Sequence, residues 1–211
     1  MSSQLQDIAI NGLWRHDPAT RQLLGLCPLL AVSQTASNAL WLGLATIIVL
    51  IISNGMISLL RPYIARELRI PFFILIIASS VTILQLLLQG YAFSLYEQLG
   101  LFLALITTNC TIMARAEAFA SRQSVPFALW DGLMQGLGFA LVLITLGMLR
   151  ELIAQGSLFS IPLLANYPGF LLALLPPGAF ILLALLIALK NYCYDAKPTT
   201  QTVSTSPSTK P

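Results

Sequence analysis

The sequence predicts an all-α integral membrane protein of six transmembrane helices, built as two inverted three-helix repeats whose first members are short or discontinuous. Three observations carry this. The 211 residues are 57% hydrophobic and only 9% charged, with mean hydropathy +0.82, a composition suited to lipid. About six apolar runs approach the roughly 20 residues that cross a bilayer. Finally, ten of the eleven Lys and Arg residues fall on alternate connecting segments.

The elements follow in order. Residues 1–21 are polar, include Trp14, Arg15 and His16, and carry no cleavable secretory pattern. They read as a cytoplasmic interfacial segment, with His16 solvent-exposed. The membrane domain spans 22–192, with apolar runs near 22–37, 39–60, 70–91, 98–114, 127–149 and 169–190. The second, third and sixth are full-length spans. Glycines at 132, 136, 138 and 147 interrupt the fifth. The first and fourth are short, and short runs at corresponding places suggest discontinuous helices. Residues 193–211, rich in Ser, Thr and Pro, form a disordered cytoplasmic tail. Only Arg150 among the basic residues lies on the outer side, so both termini are placed in the cytoplasm.

The halves, approximately 22–91 and 98–190, share a weak pattern. Ala39-Leu-Trp41-Leu-Gly43-Leu in the first matches Ala128-Leu-Trp130-Asp-Gly132-Leu in the second. Three spans per half make the second enter the membrane from the opposite side. Each short run also holds a cysteine, Cys27 and Cys110. Cys27 follows Arg21 by six residues and Cys110 precedes Arg115 by five, about 8–9 Å along a helix. Hydropathy alone therefore draws both thiols toward the cytoplasmic side, whereas an inverted repeat demands mirror-related depths. Both hold if the cysteines lie near the midplane, at the inner ends of half-helices.

The chemistry offered by the chain is sparse. No Gly-rich phosphate loop, nucleophile elbow or His/Glu metal motif is present, and the three cysteines form no Cys-x-x-Cys pair. Two thiols can be inert core residues. They can also be half of a four-thiolate iron–sulfur site, the remainder coming from another chain. Pro28 marks a local break beside Cys27, and Thr107, Thr108 and Asn109 offer hydrogen bonds to backbone or sulfur beside Cys110. Cys193, at the end of the last span, reads as structural. Arg115 and Glu117 are two apart and do not face each other on a helix. Glu97 and Asp131 sit near segment ends and are expected at the interface, with an ion-pathway role as the alternative.

The runs Leu23-Leu-Gly-Leu-Cys27-Pro28, Thr108-Asn-Cys110, Arg115-Ala-Glu-Ala-Phe-Ala120, Leu149-Arg-Glu151 and Leu175-Pro-Pro-Gly-Ala-Phe180 resemble the NqrD/RnfE family of membrane subunits. The first and last favour its RnfE (RsxE) branch, from the Rnf ion-translocating electron-transport complex. The likeness covers about residues 8–192. It implies six helices in a bacterial inner membrane and pairing with an RnfA-like homologous subunit of opposite orientation. Cys27 and Cys110 would then be two ligands of a [2Fe-2S] cluster shared with that partner, with Pro28, Thr108 and Asn109 around them. The implied complex, whose other subunits carry flavin and iron–sulfur centres, links ferredoxin and NAD to Na+ or H+ movement and in some bacteria serves a redox-sensing regulator. This chain would bind no flavin or nucleotide and would not be catalytic alone. Departures are a shortened stretch between Phe159 and Phe170 and the unusual tail. A secondary transporter without a redox centre remains the alternative, and a non-redox scaffold is a third class.

Overall fold

A computed structural model describes residues 23–33, 35–64, 68–158, 161–162 and 175–194. The interfacial segment 1–21, most of the tail and most of the shortened stretch lie outside the described residues. Among the described residues the first element is helix α1 (Leu26–Val32), followed by α2 (Ala36–Leu60) and a 3₁₀ turn (Arg61–Tyr63). Helices α3 (Arg69–Tyr91) and α4 (Phe93–Thr107) come next. The chain breaks at Thr108–Asn109 and resumes as α5 (Cys110–Arg115), which runs into a π-helical turn (Ala116–Ala120). Helix α6 (Val125–Gln155), a small antiparallel hairpin (β1, Ser157–Leu158; β2, Ile161–Pro162) and α7 (Pro176–Tyr194) are the remaining described elements.

Among the described residues, four stretches are long and apolar enough to cross a bilayer: Ala36–Tyr63, Arg69–Tyr91, Tyr96–Ala120 and Val125–Ala154. Large apolar side chains point outward along them, among them Ile48 and Ile52 on α2 and Leu75, Ile83 and Leu86 on α3. Polar Thr46, Ser53, Asn54, Asp131 and Gln135 are inside. That inversion of the water-soluble pattern fits lipid as the solvent.

The short first helix and the broken fourth span match the sequence reading. Two expectations are corrected. The fourth span is discontinuous but not short, since α4 and α5 together reach from Phe93 through Ala120. Helix α7 starts at Pro176, where a proline pair suits a first turn that needs no N–H donor, and residues 169–174 of the expected sixth run lie outside the described residues. The glycines of the fifth span do not interrupt it, for α6 is continuous over 31 residues. In lipid a backbone keeps its own hydrogen bonds, and glycine is tolerated where another helix approaches closely.

That neighbour is α2. A β-carbon built on Gly136 would lie 3.0 Å from Ile47, one on Gly43 3.0 Å from Ala140, and one on Gly132 3.1 Å from the Leu50 carbonyl oxygen. The register shows the internal symmetry directly. Gly43 and Gly132 occupy matching motif positions 89 residues apart, and α2 and α6 start at Ala36 and Val125, the same interval. Ile47 and Gly136 also differ by 89 and touch each other, so the pseudo-two-fold axis passes through that contact.

Candidate functional site

The local sequence explains why both cysteines open a helix. Leu23 and Gly25 have φ of 53° and 74°, turning the chain into α1. Cys27 is in the first turn, and buried Pro28 follows it where a missing N–H costs nothing. Pro28 therefore marks a helix start and does not kink a longer helix. Cys110 begins α5, whose N-cap is Asn109: its Oδ1 accepts from the Thr111 N–H at 3.0 Å. Thr108 Oγ1 donates to the Leu105 carbonyl at 3.3 Å, closing the end of α4. Cys193 lies in the last turn of α7, away from these two helix starts in sequence.

The two cysteine segments meet through Gly25. A β-carbon there would fall 2.7 Å from Thr111 Oγ1, 2.9 Å from Asn109 Oδ1 and 2.8 Å from Phe139 of α6. Only a bare backbone fits, and only glycine takes this left-handed conformation without strain. From the junction the helices run to opposite ends. The end of α1 is bound by Arg150, and the loop after α5 is bound by Arg61. Seven residues of α1 span about 10 Å, so Cys27 sits well inside its end of the bundle. Arg21, from which the depth of Cys27 was judged in the sequence, lies outside the described residues.

Both thiols are free and exposed on the chain, not buried in its core. Cys110 lines a groove of about 390 Å³ with Ile74, Thr107, Thr108, Met113, Ala114 and Glu117. On either side of Cys110 in the chain, Asn109 Nδ2 and Thr111 Oγ1 are buried with no hydrogen-bond partner among the described residues. No group of three or more His, Cys, Asp or Glu converges among the described residues. The described residues thus present two outward thiols, buried polar atoms in the residues flanking one of them, and no third or fourth ligand among them.

Asp131 corrects an expectation. It is not at a solvated segment end but buried at 2% exposure, bound by Arg115 through both carboxylate oxygens, with Nε to Oδ2 at 3.0 Å. Arg115 also lies over the Phe119 ring at 5.2 Å. The pair ties α5 to α6. Glu97 is exposed on the chain, near the start of α4. Sequence reasoning missed Gly25, Asn54 and the adjacent pair Arg150 and Glu151, both about 98–99% buried. The amide of Asn54 is wholly buried without a partner among the described residues. A basic–acidic pair inside an otherwise apolar run was the available signal for Arg150 and Glu151.

Fold and site define a polytopic helical membrane protein with an inverted repeat and paired, outward-facing cysteines on its broken helices. Residues 5–187 match the family model described as Rnf-Nqr subunit, membrane protein. The chain is 54% identical over 203 residues to the E component of the ion-translocating oxidoreductase complex of Shewanella loihica, covering 90% of this chain and 88% of the relative. It is 52% identical over 206 residues to proteins of the same name from Pseudomonas paraeruginosa and Pseudomonas aeruginosa, covering 90% of this chain and 86% and 87% of the relatives. The chain belongs to the Rnf-Nqr family of membrane subunits.

Proposed function

We propose that the chain is a membrane subunit of an ion-translocating oxidoreductase complex and supplies half the ligands of a [2Fe-2S] cluster. Cys27 and Cys110 are those ligands, and an RnfA-like homologous subunit of opposite orientation supplies the other two. The observation that carries this is the placement of two exposed thiols on helix starts that abut, with no completing ligand among the described residues. The donor set fits as half a site, since such clusters take four thiolates. When bound, the cluster supplies one-electron transfer inside the membrane. The first-turn N–H groups of α1 and α5 favour negative charge on the sulfurs. Asn109 Nδ2 is a spare donor, and Met113, Ala114 and Ile74 keep the Cys110 side apolar.

The relatives' shared name supports the role in a larger complex. In that reading the complex is multi-subunit and sits in the bacterial inner membrane, with both termini of this chain cytoplasmic. It carries ferredoxin/NAD-linked electron transfer coupled to Na+ or H+ movement. The redox-free permease alternative predicts no iron at these cysteines.

Thiol labelling of the intact complex tests the proposal. In the iron-replete complex, Cys27 and Cys110 should both resist a membrane-permeant maleimide, and both should become reactive when chelation removes the iron. Rapid labelling of either thiol while iron content stays full would overturn the assignment.

A further inference from the structure

The 89-residue interval that relates α2 to α6 also relates Arg61 to Arg150, and each arginine reaches across the repeat boundary to one of a matching pair of residues, Arg122 and Ser33, themselves 89 apart. Arg150, in the second half, donates from Nη1 to the Leu30 carbonyl and to Ser33 Oγ, each at 3.0 Å. Those acceptors are the closing turn and C-cap of α1, the helix of Cys27. Its Nη2 donates to the Leu175 carbonyl at 3.2 Å, adding the start of α7. Arg61, in the first half, donates from Nη1 to the Arg122 carbonyl at 2.7 Å. That acceptor closes the Cys110 segment, just past the π-helical turn. One turn earlier, Ser58 Oγ donates to the neighbouring Gln123 carbonyl at 2.8 Å.

We infer that Arg61 and Arg150 are reciprocal positioning residues, each holding the far end of the cysteine-bearing helix that belongs to the opposite repeat. The physical grounds are direct. The last carbonyls of a helix lack partners and carry partial negative charge, which a guanidinium fork satisfies with charge and several donors. A helix as short as α1 does not hold itself, so its place is set by its two ends. One end is the Gly25 junction and the other is Arg150. The two clamps are not equal. Glu151 Oε2 accepts the Ala36 N–H at 2.8 Å and so also secures the start of α2, whereas the matching position in the first half is Pro62. Arg150 is 1% exposed and Arg61 is exposed. The clamp on the Cys27 helix is therefore the stronger.

The functional meaning rests on Cys27 and Cys110 being ligands, but the clamp can be read without them. Hydrogen exchange with mass spectrometry on the intact complex provides that reading. Arg150→Met should speed exchange in residues 26–33 about tenfold or more, while leaving 116–123 unchanged, as expected for loss of hydrogen bonds to a charged donor. Arg61→Met should do the reverse, with a smaller change confined to 116–123. Arg150→Lys should recover part of the protection and, because lysine lacks the fork, not all of it. In the same samples Arg150→Met should shift or broaden the cluster's electron paramagnetic resonance signal while iron is retained. Exchange that stays unchanged, or that rises equally in both segments, overturns the clamp. Absence of iron from the wild-type complex overturns the cluster reading alone, and the exchange pattern still decides the clamp. If Arg150→Met does not assemble, Arg61→Met and Arg150→Lys give the same decision.

Discussion

Gly25→Ala is expected to destabilise the protein by about 2–5 kcal/mol and to separate the two cysteine segments. A non-glycine residue in this left-handed conformation costs about 1–2 kcal/mol. Overpacking adds about 1–3 kcal/mol, because three atoms lie within 3.0 Å of the new β-carbon and belong to packed groups. Thr111 Oγ1 can rotate away, but Asn109 Oδ1 is held by the cap it forms and Phe139 is wholly buried. Equilibrium unfolding in detergent micelles gives the loss. Gly90→Ala is the control: nothing lies within 4 Å of its β-carbon, and alanine in that helical position should be neutral or slightly stabilising. Similar stability for the two variants would show that the junction is not tight.

Breaking the ion pair between Arg115 and Asp131 should have a comparable effect by a different route. Arg115→Met leaves a carboxylate buried at 2% exposure between α5 and α6 without its cation. Removing one partner of such a pair costs about 3–5 kcal/mol, chiefly from the stranded charge. Removing both, in Arg115→Met with Asp131→Leu, should recover most of that loss, since no charge is then left in the apolar interior. The same unfolding measurement checks both variants. A double variant no more stable than Arg115→Met would mean that the pair contributes specific architecture beyond mutual neutralisation.

Much of the fold was legible because lipid imposes a strong and simple rule. Apolar length located α2 and α3 within a few residues, and the sorting of basic residues agrees with Arg61 and Arg122 meeting at one end while Arg150 sits at the other. The Trp-x-Gly motif gave the repeat, whose register the helix contacts then made explicit. Residue identity misled where it depended on a neighbour. The glycines at 132, 136 and 147 resembled breaks because a sequence does not say that α2 packs within about 3 Å of where their β-carbons would stand. Asp131 resembled an interfacial group because its partner, Arg115, is 16 positions away on a different helix. Gly25 passed unremarked beside the cysteine it positions, since only the folded chain brings Asn109 and Thr111 to it. The exposure of the thiols, on which the proposed site depends, is likewise a property of packing.

The central claim is that Cys27 and Cys110 are both ligands of one cluster completed by another chain. Iron content and electron paramagnetic resonance of the anaerobically purified complex, carrying Cys27→Ser, Cys110→Ser or Cys193→Ser in turn, test it most directly. The first two variants should each lose the [2Fe-2S] signal, and the third should keep it. A full, unshifted signal in either Cys27→Ser or Cys110→Ser would contradict the account.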